Sequence, residues 1–143
     1  MPQISPYLSF DGDCAEALRF YERVLGGKIE ALMTYGDGPP DMKAHVPAEY
    51  HGRVMHGRLD LDGQLIMASD AAGESCGGAY EGQKGVSLAL TYPTVSDAER
   101  VFAALSEGGH VTMPLQPTFW AEAFGMTVDR HGTSWMVNGA MKA

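Results

Sequence analysis

The side chains of this chain that could bind a metal ion or move protons are few and scattered. His51 and His56 bracket one strand-like run, and with Glu49 or Glu122 they could supply the His/Glu donors of a divalent cation, which would polarise a substrate oxygen as a Lewis acid. Their spacing matches no metal motif, and the plainer reading is that each is an ordinary surface or hydrogen-bonded histidine. His45, His110 and His131 stand in loop or turn contexts and read as solvated. Glu122 is the candidate acid or base: a carboxylate desolvated by aromatic walls holds its proton more tightly, although a rim charge or salt bridge is the simpler expectation. Asp129 belongs to the turn-like run Asp129-Arg130-His131-Gly132, and Arg58 and Arg130 are the nearest cations. No Ser, His and Asp stand at the spacing of a nucleophilic triad. Cys14 and Cys76 lie far apart and match no thiolate metal pattern, so both are expected as free thiols.

A second set of residues suits binding rather than bond making. Phe119, Trp120, Phe124, Met126, Trp135 and Met136 crowd the last part of the chain, with Tyr7, Met55 and Met67 as expected neighbours. Aromatic and thioether walls fit a flat or irregular organic molecule. The ligand-binding candidates are Tyr7, Met55, Met67, Phe119, Trp120, Met126 and Trp135. The competing expectation is a methionine-rich core; Trp120 stands apart because it follows Pro117 outside any clean alternation, which leaves its indole free to project into a cavity or a partner.

Composition narrows the partners. The 143 residues fit one domain with a substantial core, and a formal net charge of −8 with no Lys/Arg cluster argues against nucleic acid. No apolar run approaches the roughly 20 residues that cross a bilayer. Met-Pro-Gln-Ile-Ser leads directly into a strand-like pattern, which sets a cytoplasmic expectation.

The elements that must position these residues come twice. Ile4 to Phe10 is echoed by Val86 to Tyr92, and Gly26-Gly27 by Gly108-Gly109 at the same separation. The first copy reads as a strand at 4–10, a helix at about 14–25 with Asp13 as N-cap and Gly26-Gly27 as stop, a strand from Lys28 to Tyr35, a long loop through Tyr50, and strands from Arg53 to Leu61 and Gln64 to Ser69 joined at Asp62-Gly63. Ser69-Asp70 closes that copy, with capping or turn bonds as its expected role. A Gly-rich connector from 71 to 85 separates the copies. The second reads as a strand at 86–92, a helix at about 96–107 capped by Ser96, a short strand from His110 to Met113, a loop from Pro114 to Pro117, and strands from Phe124 to Asp129 and Ser134 to Asn138. The prediction is an α+β fold of two βαβββ modules, at about 1–70 and 86–143, with a cavity between them.

With its paired βαβββ modules, the chain resembles the vicinal oxygen chelate superfamily of glyoxalases, extradiol dioxygenases and bleomycin-resistance proteins. Pro6 to Phe10, Ala15 to Tyr21, Trp120 and the closing Asp129 to Trp135 look like its PhnB-like branch, often labelled 3-demethylubiquinone-9 3-methyltransferase. No Gly-rich nucleotide loop of a doubly wound methyltransferase accompanies them. In metal-using members a divalent ion is held by His or Glu from the first and last strands of the modules. The resemblance carries those positions to or beside Pro6, Met67, Ser87 and Met136, none a usual donor for a hard cation. It therefore implies a small-molecule-binding protein without the standard metal centre, working by sequestration or carriage. The alternatives are a metal-dependent lyase, isomerase or dioxygenase with an atypical His51, His56, Glu49 or Glu122 site, and a purely structural dimer module. The resemblance also implies a homodimer.

Overall fold

The computed structural model describes residues 2–72, 80 and 82–142, so most of the connector read at 71–85, Cys76 included, lies outside the described residues. The chain divides into two compact units, Met1–Gly82 and Gln83–Ala143. Each follows the order read from the sequence.

In the first unit, β1 (Tyr7–Phe10), α1 (Cys14–Leu25), β2 (Lys28–Thr34), β3 (Val54–Leu61) and β4 (Gln64–Asp70) build a sheet in the order β1-β4-β3-β2. β1 runs parallel to β4, and the other neighbours are antiparallel. Helix α1 forms because Cys14, Ala17, Leu18, Phe20 and Tyr21 recur at intervals of three and four and share one buried face. Gly26 ends it in the left-handed conformation, its N–H donating to the Glu22 carbonyl. The segment read as a long loop carries a short helix, α2 (Pro40–His45), between two single 3-10 turns. Pro40 at its first turn has no N–H to lose, which lets so short a helix start there.

The second unit repeats the plan with β5 (Leu88–Tyr92), α3 (Val95–Ser106), β6 (His110–Gln116), β7 (Ala121–Val128) and β8 (Ser134–Met141), in the order β5-β8-β7-β6 with β5 parallel to β8. Glycines occupy equivalent places where backbone meets backbone. A Cβ on Gly27 would lie 2.5 Å from the Asp60 carbonyl, and one on Gly109 would strike the Val128 carbonyl. Likewise a Cβ on Gly57 would meet Leu18 of α1 at 2.5 Å, and one on Gly125 would meet Phe102 of α3 at 2.8 Å. The first pair lets the chain leaving each helix pass close to β3 and β7, and the second fixes how closely each helix lies on its own sheet.

Several expectations shift in detail. The first strands of both units begin later, at Tyr7 and Leu88, because pairing to β4 and β8 starts there. Pro114 lies inside β6 rather than in a loop; β6 is an edge strand, and its register is irregular between Met113 and Gln116, where a missing N–H costs no ladder bond. Asp13 precedes α1 without capping it by its side chain. That work falls to Asp70, whose Oδ1 accepts the Gly12 and Cys14 N–H groups at 2.8 and 3.0 Å while Oδ2 accepts Val54 N–H at 2.8 Å. Ser96 does not cap α3 either: Thr94 does, accepting Asp97 N–H at 3.1 Å, because a cap must precede the first turn to reach its third N–H. Among the described residues no helix is long and apolar enough to cross a membrane.

Candidate functional site

Each sheet has one face under its helix and one face away from it. In the first unit Leu8, Phe10, Leu59, Ile66 and Ala68 are buried on the helix side, so alternation sends their sequence neighbours to the other face. Pairing then lays Tyr7, Met67, Arg58 and Ala31 side by side across all four strands. A second row beside it contains Ser9, Ser69, His56 and Met33. The Tyr7 and His56 rings are 6.2 Å apart, meeting across the intervening β4 on one face.

The equivalent rows in the second unit differ in chemistry. The first is Ala89, Met136, Met126 and Met113, and the second Thr91, Asn138, Phe124 and Gln116. Three thioethers thus lie abreast, soft and adaptable in shape. Trp120 closes over this face: its indole N–H donates to Asn138 Oδ1 at 3.1 Å, and its ring meets Phe124 edge-on at 5.1 Å. The indole read as free to project outward is therefore anchored within its own unit.

The remaining sequence candidates separate. Trp135 is a correction: it is 1% exposed on the helix side of β8, with its indole N–H on Asp129 Oδ2 at 2.7 Å, so it packs the core and cannot wall a ligand. The other Asp129 oxygen accepts the His131 and Thr133 N–H groups, the turn role read for it. Phe119 is 88% exposed, packing edge-on against Trp120. Met55 is the extra residue where β3 bulges between the pairs Met33–His56 and Thr34–Val54. His51 uses Nε2 on the Val46 and Lys43 carbonyls at 3.0 and 3.3 Å, which makes that nitrogen a donor and ties the loop around α2. Glu49 and Glu122 are exposed, and among the described residues no three of His, Cys, Asp and Glu gather around a point where an ion could sit.

Two residues matter more than sequence reasoning allowed. Asp70, read as a cap, joins β1, α1 and β3, and its backbone carbonyl also accepts the Tyr35 hydroxyl at 2.9 Å. Arg58 stands mid-sheet on the open face; Arg130, the other cation considered, belongs to the turn beside Gly108, where its Nε donates to the Glu107 carbonyl. The strand period alone would have placed Arg58, since Gly57 and Leu59 on either side are buried. Cys14 is a free thiol buried under α1, its pKa pushed up from 9.0 to about 12 by burial first and then by the Asp70 and Asp13 charges.

The sequence pattern of the glyoxalase/bleomycin resistance protein/dioxygenase superfamily matches residues 3–137. Protein YjdN of Escherichia coli (strain K12) is 33% identical over 94% of this chain and 93% of its own length. Among solved structures, protein PA1353 from Pseudomonas aeruginosa is 46% identical, with 96% of this chain and 97% of that one covered and a TM-score of 0.86. The PhnB protein from Bacillus cereus, provisionally labelled a 3-demethylubiquinone-9 3-methyltransferase, is 26% identical, with 96% and 98% covered and a TM-score of 0.76.

Proposed function

The chain belongs to the glyoxalase/bleomycin resistance protein/dioxygenase superfamily, and from that premise we propose that it binds a small organic molecule, by sequestration or carriage, without the superfamily's standard metal centre. One observation carries this reading. The paired first and last strands, from which metal-using members hold their ion, present Tyr7 beside Met67 in one unit and Ala89 beside Met136 in the other. Neither the phenol and thioether of the first pair nor the methyl group and thioether of the second fits a hard divalent cation, which seeks carboxylate or imidazole. Within the second unit Met136, extended by Met126, Met113 and Trp120, suits an apolar, flat ligand held by contact area and polarisable sulfur. The His51 and His56 alternative has less support, since the His51 ring is engaged by loop carbonyls. A homodimer and a cytoplasmic address complete the proposal; a free buried thiol agrees with a reducing compartment.

The test is a melting-temperature screen of neutral aromatic compounds and of Mg²⁺, Mn²⁺, Ni²⁺ and Zn²⁺, followed on protein carrying ¹³C at its methionine methyl groups. Aromatic hits should raise the melting temperature by mass action and shift the resonances of Met113, Met126 and Met136 together. A stoichiometric divalent ion in tag-free protein, lost in His56→Ala, would overturn the reading.

A further inference from the structure

On the open face of the first sheet, Arg58 is a guanidinium with its Nη end half-exposed to solvent and its Nε unmatched. Its Nε is buried yet has no hydrogen-bond partner among the described residues, and its ionic neighbour, Glu30 Oε1, is 3.6 Å from Nη2, beyond good hydrogen-bond length. Other arginines are better satisfied: Arg53 donates to Asp11 and to the Ala71 carbonyl at 2.9 Å each and covers the Tyr50 ring, and Arg130 donates to the Glu107 carbonyl. A buried unpaired donor costs stability unless something outside the chain meets it. On the same row stand the Tyr7 ring and the Met67 thioether, with the His56 ring against Tyr7.

We propose that Arg58, flanked by Tyr7, Met67 and His56, receives the carboxylate of an aromatic or similarly flat organic acid, whose apolar body lies along the Tyr7 and Met67 side chains. This deepens the small-molecule reading above and rests on it. A planar guanidinium offers paired donors at the spacing of two carboxylate oxygens, which an ammonium does not. The charge present also selects the anion. One arginine partly offset by Glu30, in a chain of net charge −8, matches a single negative charge better than a dianionic phosphate.

The experiment uses the full chain with ¹⁵N-labelled arginine and three probes of similar shape: benzoate, its neutral counterpart benzamide, and phenyl phosphate. Benzoate should shift the Arg58 Nε–Hε resonance, assigned with Arg58→Lys, to saturation. Its affinity should fall about tenfold or more in Arg58→Met, the scale of one lost charge-assisted hydrogen bond, and rise in Glu30→Gln, where the competing carboxylate is gone. Benzamide should bind equally to wild type and Arg58→Met. The proposal fails if benzoate leaves the Arg58 resonance unmoved at its solubility limit, if Arg58→Met binds benzoate as wild type does, or if phenyl phosphate binds more tightly than benzoate. Benzamide shifting the methionine methyl groups while benzoate ignores Arg58 would remove this inference and leave the small-molecule reading standing. Silence from all three probes at both sets of resonances would count against both.

Discussion

Cys14 shows how one buried carboxylate governs a neighbour's chemistry. Asp70 accepts the Cys14 backbone N–H at 3.0 Å, which holds a negative charge beside a thiol with no solvent exposure. Burial and that charge both oppose a second negative charge, so the thiol keeps its proton up to about pH 12, against 9.0 ordinarily. Linkage then has a definite sign. Below about pH 9 both states hold the proton and stability is unaffected; above it the unfolded chain ionises first, and stability falls as pH rises toward 12, with a limiting slope of about 1.4 kcal/mol per pH unit. Urea midpoints measured from pH 8 to 11 in a Cys76→Ser background should drop more steeply with Cys14 present than in Cys14→Ala, and the difference between the two curves isolates this thiol from the tyrosines. In the same background, native protein at pH 8 should resist a thiol-specific disulfide reagent and react once unfolded. Parallel pH curves would show that the thiol ionises as it does in water.

Between residue and molecule, the two helices solve the same problem differently. Helix α1 draws on Asp70 from the end of β4; the position paired equivalently on β8 is Gly139, where a Cβ would lie 2.7 Å from Ala98 of α3. A carboxylate cannot stand where helix and strand come that close, so α3 relies on its own Thr94. Thr94→Ala should therefore cost about 1 kcal/mol in urea unfolding, and Ser96→Ala, already inside the helix, only a few tenths. Equal losses at the two positions would refute the assignment. This also explains what the sequence could say. Both helices and most strand ends were legible, because apolar spacing and the Gly-Gly stops are local signals. A capping role for Asp70 was legible but its target was not, because it acts across 56 residues, and the cap of α3 was not, because Thr94 and Ser96 are chemically alike until geometry separates them. Pro114 misled for a related reason, since only an edge strand excuses it.

For the whole chain, duplication was the most legible feature and the division of labour between its halves the least. Each residue type was visible, but which face of a strand it takes depends on bulges, such as the one that sets Met55 apart from His56, and on whether a bulky side chain like Trp135 turns toward its helix. Two exposed apolar residues of the second unit mark one place where a second copy could attach. Phe119 and Met141 are 88% and 52% exposed, and the pairing of Ala121 with Met141 and of Lys142 N–H with the Trp120 carbonyl brings them to one end of the second sheet. The β6 edge is a poorer seam, because Pro114 and the irregular register there interrupt the row of free donors that strand pairing needs. Association should therefore use the Phe119 end. In a twofold interface each change counts twice, so removing a phenyl worth roughly 1.5–3 kcal/mol per copy would weaken such a dimer by about two to four orders of magnitude. Sedimentation velocity at micromolar concentration should find wild type dimeric and Phe119→Ser monomeric with an unchanged circular dichroism spectrum, while Val111→Ser on β6 stays dimeric. A wild-type monomer under those conditions would remove the dimer, and a dimer surviving Phe119→Ser would move it to another surface.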